Sequence, residues 1–215
     1  MIQGWLSKNE ANLLTHFAKK SDGAIVEIGS FQGKSTVAMA KVTKNKIYAI
    51  DPHYLKSYRK FLANTKKYKN IIPVKKTSMA ANKNWRQKIS LLHIDGNHEY
   101  KFAKQDLQLW LPHLKDDGVV ICHDAFCPFP DVFKAIKEEI FSRPGWSYIG
   151  VLDSQLFAIK GPRQLNWQRP LIILASNIWH IKTLPENLRF FLVNRVLKIF
   201  FLNKFMLKAM LKLDL

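Results

Sequence analysis

Two acids and two imidazoles sit at the ends of two apolar runs, Ile94-Asp95-Gly96-Asn97-His98 and Ile121-Cys122-His123-Asp124. If those runs are neighbouring strands, Asp95 and Asp124 lie side by side. Adjacent carboxylates raise each other's pKa, and a divalent cation between them removes that penalty. Oxygen donors suit Mg²⁺ or a similar hard ion, and His123 can add a nitrogen ligand. His98, with an unperturbed pKa near ~6.5, can accept a proton at neutral pH. Taken singly, either Asp could equally be a helix N-cap or a loop anchor; together they favour the metal. Cys122, His123 and Cys127 match no usual zinc spacing, so Cys122 is expected to pack inside its strand.

A second constellation reads as a ligand cradle. Ile25-Val26-Glu27-Ile28 is an apolar run bearing a carboxylate, and Gly29-Ser30-Phe31-Gln32-Gly33 carries it into a helix-forming stretch. The two glycines let backbone approach a ligand, and the helix that follows offers free N–H groups. Only three residues separate the glycines, which excludes a Walker A loop, and Phe31 excludes the dinucleotide fingerprint. Glu27 would repel phosphate but suits the hydroxyls and cationic amino-acid part of S-adenosylmethionine (SAM). The run 46–51 is the next strand, and an acid at its end, Asp51, can accept both ribose hydroxyls. The expected cofactor contacts are Glu27, Gly29, Ser30, Gly33 and Asp51. The competing reading is a strand–turn–helix whose glycines serve packing alone.

With both acids in place, the chain resembles the class I SAM-dependent methyltransferases over about residues 4–160. Within them it is most similar to the branch holding the macrolide-sugar O-methyltransferases and the cephalosporin-biosynthesis methyltransfer protein. The resemblance implies a methyl transfer from SAM to a hydroxyl, with a sugar, glycan or other small molecule as acceptor. It also implies that Asp95 and Asp124 are metal ligands, with His98 as the catalytic base and Asp95 beside both cation and cofactor. Ser78, with Thr77, is placed near adenine by the resemblance. His123 departs from the pattern, since a Glu is expected there. An RNA methyltransferase and a non-catalytic scaffold at a membrane are the alternatives. No Asn-Pro-Pro-Tyr-like signature supports the first, so nucleic acid is not the expected partner, and the retained acids and His98 argue against the second.

Composition bounds the partners. The chain has 215 residues, 34 basic against 16 acidic, for a net charge of +18. Between Asp51 and Asp95 there are 11 Lys or Arg and no acid. Such an excess concerns association rather than fold: nucleic acid, anionic lipid or an acidic glycan would respond to it, and the competing reading is a lysine-rich solvated surface. Two cysteines are too few for a disulfide framework, and the first residues show no secretory pattern, so a cytoplasmic setting is expected.

The elements that must position these groups alternate. A capping box at Ser7 to Glu10 starts a helix over 8–20; strands follow at 24–29, 47–51, 71–74, 89–95 and 119–122, with helices at 33–42, 54–67, about 100–114 and 131–142. Segments 146–151 and 155–159 read as a hairpin. The expected architecture is therefore α/β, a doubly wound, Rossmann-like, mostly parallel sheet with a C-terminal hairpin strand. Domain 1–160 is followed by a tail, 161–215, in which Trp167, Trp179 and many apolar residues mix with nine bases and two acids. Its uncharged runs are too short to span a bilayer, so it reads as basic amphipathic helices at an anionic membrane surface. The alternative is packing on the domain, or on a second subunit in a homo-oligomer. His16, His53, His93, His113 and His180 are read as surface or packing residues.

Overall fold

A computed structural model describes residues 2–54, 56–125 and 129–162. Cys127, His180 and the expected helices of the tail lie outside the described residues. Helix α1 (Lys8–Lys20) starts as its sequence requires: Ser7 Oγ accepts from the Glu10 amide, and Glu10 Oε2 accepts from the Ser7 amide.

Seven strands form one sheet: β1 (Ala24–Ile28), β2 (Ile47–Ile50), β3 (Ile71–Val74), β4 (Ile89–Ile94), β5 (Leu114–Cys122), β6 (Trp146–Leu152) and β7 (Gln155–Lys160). Their order is β3-β2-β1-β4-β5-β7-β6. The first five run parallel, and β7 lies antiparallel between β5 and β6. This is the expected doubly wound, Rossmann-like sheet with its terminal hairpin. Helices α2 (Lys34–Ala40), α3 (Tyr58–Thr65), α4 (Ser78–Asn82), α5 (Tyr100–Trp110) and α6 (Pro130–Ile136) complete it.

Strand alternation supplies two cores. Ile25, Leu91, Val119 and Ile121 face Leu13, Phe17, Met39 and Phe61. Val26, Leu92, Ile94 and Val120 face Leu107, Trp110, Phe133 and Ile136. Neighbouring strand residues go to opposite cores, which is why the central strands are mostly apolar on both faces. β1 is flanked by β2 on one side and β4 on the other, so the chain reverses its direction of growth there. A crevice opens at such a reversal, beyond the carboxyl ends of the strands.

Several boundaries differ from expectation. The helix expected over 54–67 is confined to α3, because His53 and Lys56 adopt left-handed backbone conformations before it. Leu114, expected at the end of the preceding helix, instead opens β5 and is buried there. The Asp116-Asp117-Gly118 turn is absorbed into that strand as an irregularity, with Asp117 at positive φ and a register shift against β4. α6 gives way at Lys137 to a wider π-type turn ending at Phe141. Trp85, given no role from sequence, packs edge-on between Tyr48 and Trp110.

Candidate active site

The sheet hydrogen bonding runs one residue past the strands on their carboxyl side. The Gly29 amide donates to Ile50 O, the Asp95 amide to Ile28 O, the His123 amide to Ile94 O and the Asp51 amide to Val74 O. Four loops thus leave at one level, and between them lies a cavity of about 600 Å³, within the usual range of small-molecule sites. Gly29, Ser30, Asp51, Ser78, Asp95, His98, His123 and Asp124 all line it.

Gly29 explains the tight approach of β1 and β4. Its φ is +87°, and a Cβ there would fall 1.9 Å from the Asp95 carbonyl oxygen. Asp51 holds the glycine loop from the neighbouring strand: Oδ2 accepts from the Phe31 amide at 2.8 Å and Oδ1 from the His53 amide at 2.5 Å. Each oxygen keeps a second lone-pair site. Ser30 Oγ is buried in the cavity wall without a partner, a polar atom that a bound ligand would satisfy.

Two expected cofactor contacts do not reach the cavity. Glu27 is wholly buried beneath it, accepting from Ser35 Oγ at 2.5 Å and from Thr36 Oγ1, with His93 Nδ1 3.2 Å away. Donors from α2 and β4 converge on that carboxylate and hold it between sheet and helix. His93 is thereby a packing residue facing Glu27, not Asp95. Gly33 caps α2 with φ +85° and packs toward Phe61 and Thr65.

β4 and β5 are neighbours, so the two acids do meet. Ligand atoms of Asp95, His98 and Asp124 lie within 4.8 Å of one another. His98 Nε2 is 3.2 Å from Asp124 Oδ2, and its ring stacks on Phe129 at 4.0 Å. His123, the nitrogen ligand expected from sequence, lies below this trio. Its Nδ1 is 3.1 Å from Asp124 and 3.4 Å from Asp95, while Nε2 is 3.5 Å from Glu10. Burial alone would lower the His123 pKa, but hydrogen bonds to Asp124, Asp95 and Glu10 raise it to about 12. Burial would raise the Asp124 carboxyl; His123 and His98 overcome this and hold it well below the usual carboxylate range.

Three contributors carried no signal in the motifs. Glu10, the capping-box acid of α1, reaches across to His123 and also accepts from Ser154 Oγ at 2.6 Å. Burial would raise its pKa, yet His123, Ser154 and the Ser7 amide lower it to about 2. A carboxylate with a depressed folded pKa stabilises above its unfolded value, near 4.5, and that contribution is lost as pH falls toward 2. Stability measured by denaturant titration should therefore drop over that range, and Glu10→Gln should flatten the drop; an unchanged profile would detach Glu10 from His123. Asp106 of α5 is a second such group, buried in the cavity wall beside Gly96, its pKa pushed up to about 6 by burial against the opposing hydrogen bond of Ser78. Ser78 Oγ also accepts from Trp110 Nε1 at 2.8 Å. An acid among Ala103, Leu107 and Trp110 on a buried helix face was the clue to Asp106. The third is the N-terminal segment. Lys34 Nζ donates to Gly4 O at 2.7 Å and Leu6 O at 3.1 Å, which lays Trp5 beside Phe31 along the cavity.

Residues 26–125 match the family model described as a methyltransferase domain. A protein of Corynebacterium glutamicum shares the fold with a TM-score of 0.61 at 14% identity, over 75% of this chain and 84% of that one. An O-methyltransferase of Bacillus cereus, solved in complex with SAH, aligns at 0.55 and 14% identity over 70% and 78%. An rRNA methylase of Streptococcus thermophilus aligns at 0.55 and 13% identity over 75% and 100%. Residues 26–125 thus resemble a methyltransferase domain, and the chain shares the fold of these solved structures.

Proposed function

We propose that this domain is a methyltransferase that transfers the methyl group of SAM to a hydroxyl oxygen of a sugar, glycan or other small molecule, assisted by a divalent cation. The observation that carries the reading is the convergence of Asp95, His98 and Asp124 on the same cavity as the Gly29 loop and Asp51. The walls fit SAM: backbone without side chain at Gly29 and Gly96, an unpartnered Ser30 hydroxyl and a cavity-lining acid, Asp51, that would accept from ribose hydroxyls. The donor set also fits a hard cation, with Asp95 and Asp124 as its holders.

Bound SAM supplies an activated methyl on sulfur, and a bound cation supplies Lewis acidity toward the acceptor oxygen. The protein's part is positioning and proton removal. Asp124 faces His98 Nε2, so that nitrogen carries the proton and Nδ1 is left to take one from the acceptor. The imidazolium so formed is stabilised by Asp124, and stacking on Phe129 fixes the ring plane.

A methyl-transfer screen over hydroxylated acceptors, with and without EDTA, tests the reading. Cation-dependent methylation is expected; full activity in excess EDTA would remove the cation from the reaction. RNA is the second reading, favoured by the basic 52–94 stretch and the rRNA methylase likeness, and methyl incorporation into rRNA would replace the first. Asp51→Ala should weaken SAM binding by a few kcal/mol, because charge-assisted hydrogen bonds are worth roughly 1.5–3 kcal/mol each. Asp51→Asn, which keeps one acceptor oxygen, should lose less. Calorimetry with unchanged affinity in both would take Asp51 out of the site.

A further inference from the structure

We infer that the β3 edge of the domain docks on an anionic phospholipid surface, with the cavity mouth turned toward the bilayer. All 11 Lys and Arg between Asp51 and Asp95 are exposed. Among the described residues none of them has an ion-pair partner; the cations that do are Lys104, Lys115, Arg143 and Lys160. Exposed acids such as Asp116, Asp117, Asp131 and Asp153 belong to the other half of the sheet, around β5 to β7. Positive charge is thus concentrated at one edge, where it both attracts and orients the protein at a polyanion.

Apolar groups at the mouth select the kind of polyanion. Lys56, Lys75 and Lys76 follow the carboxyl ends of β2 and β3, close in the chain to the cavity-lining residues Tyr54, Thr77 and Met79. Trp5, Tyr54 and Met79 line that cavity and are 78%, 80% and 57% exposed. Protruding aromatic and thioether groups among lysines are the composition of a surface that enters a bilayer interface, apolar tips inward and ammonium groups at the headgroups. Nucleic acid recognition leans on the guanidinium fork. Here only Arg59 and Arg86 interrupt the lysines, and Arg86 Nη1 is occupied by the carbonyls of Trp85 and Lys83. The sequence of 163–215 repeats the same mixture of apolar and basic residues. Among the described residues no helix is long and apolar enough to cross a membrane.

Vesicle sedimentation of the full chain tests this, using phosphatidylcholine alone or mixed with phosphatidylglycerol. Binding to the anionic vesicles is expected, weakening as salt rises. The triple variant Lys56→Glu/Lys75→Glu/Lys76→Glu should lower that binding by about a hundredfold or more. Its melting temperature and SAM affinity should be unchanged, since these side chains are exposed and off the cavity wall. Three outcomes overturn the inference: a wild-type chain that ignores anionic vesicles at low salt, a triple variant that binds as wild type does, or retention on RNA in preference to lipid.

Discussion

Gly29→Ala is expected to abolish SAM binding and to destabilise the domain by more than ~4 kcal/mol, a range reached by few single substitutions. Two costs add. A left-handed backbone costs a side chain ~1–2 kcal/mol, and the new methyl would sit 1.9 Å from the Asp95 carbonyl oxygen. Relieving that contact means separating the ends of β1 and β4, which moves the glycine loop and Asp95 together. Gly145 provides the control. It too has positive φ, +97°, but nothing lies within 4 Å of a Cβ built there. Gly145→Ala should therefore cost only the backbone penalty, about 1–2 kcal/mol. Melting curves and calorimetry with SAM on both variants measure the difference; equal losses would show that the close approach at Gly29 carries no weight.

His98→Ala is expected to lower turnover by roughly 10²–10⁴-fold, the usual worth of a general base, while SAM affinity stays near wild type. Asp124→Asn should be at least as damaging, because one side chain faces both His98 and His123 and its charge is lost to each. Asp95→Asn should abolish cation dependence without removing the base. Single-turnover rates at saturating SAM, with and without EDTA, separate these effects. A His98→Ala enzyme at wild-type rate would transfer the proton to another group; Asp106, with its pKa near 6, would then be the first to test.

Sequence alone determined the sheet, its parallel sense and the strand ends that carry chemistry. Those features are local: apolar runs of strand length, turn residues between them and a capping box at Ser7 to Glu10 all act within a few residues. The pairing of Asp95 with Asp124 was legible too, because right-handed crossovers leave few places for consecutive strands. Orientation was not legible. Glu27 and Asp51 both lie at strand ends, yet one is drawn under the sheet by Ser35, Thr36 and His93 while the other lines the cavity. Nor does spacing along the chain reveal that Glu10 of the first helix supports His123, or that Trp5 borders the cavity through Lys34. Each of these depends on where a helix or terminus docks, which is set by packing of whole apolar faces and by the demand that buried polar atoms find partners. Those constraints act between residues far apart in sequence, so only the tertiary structure decided which chemically capable side chains share one cavity.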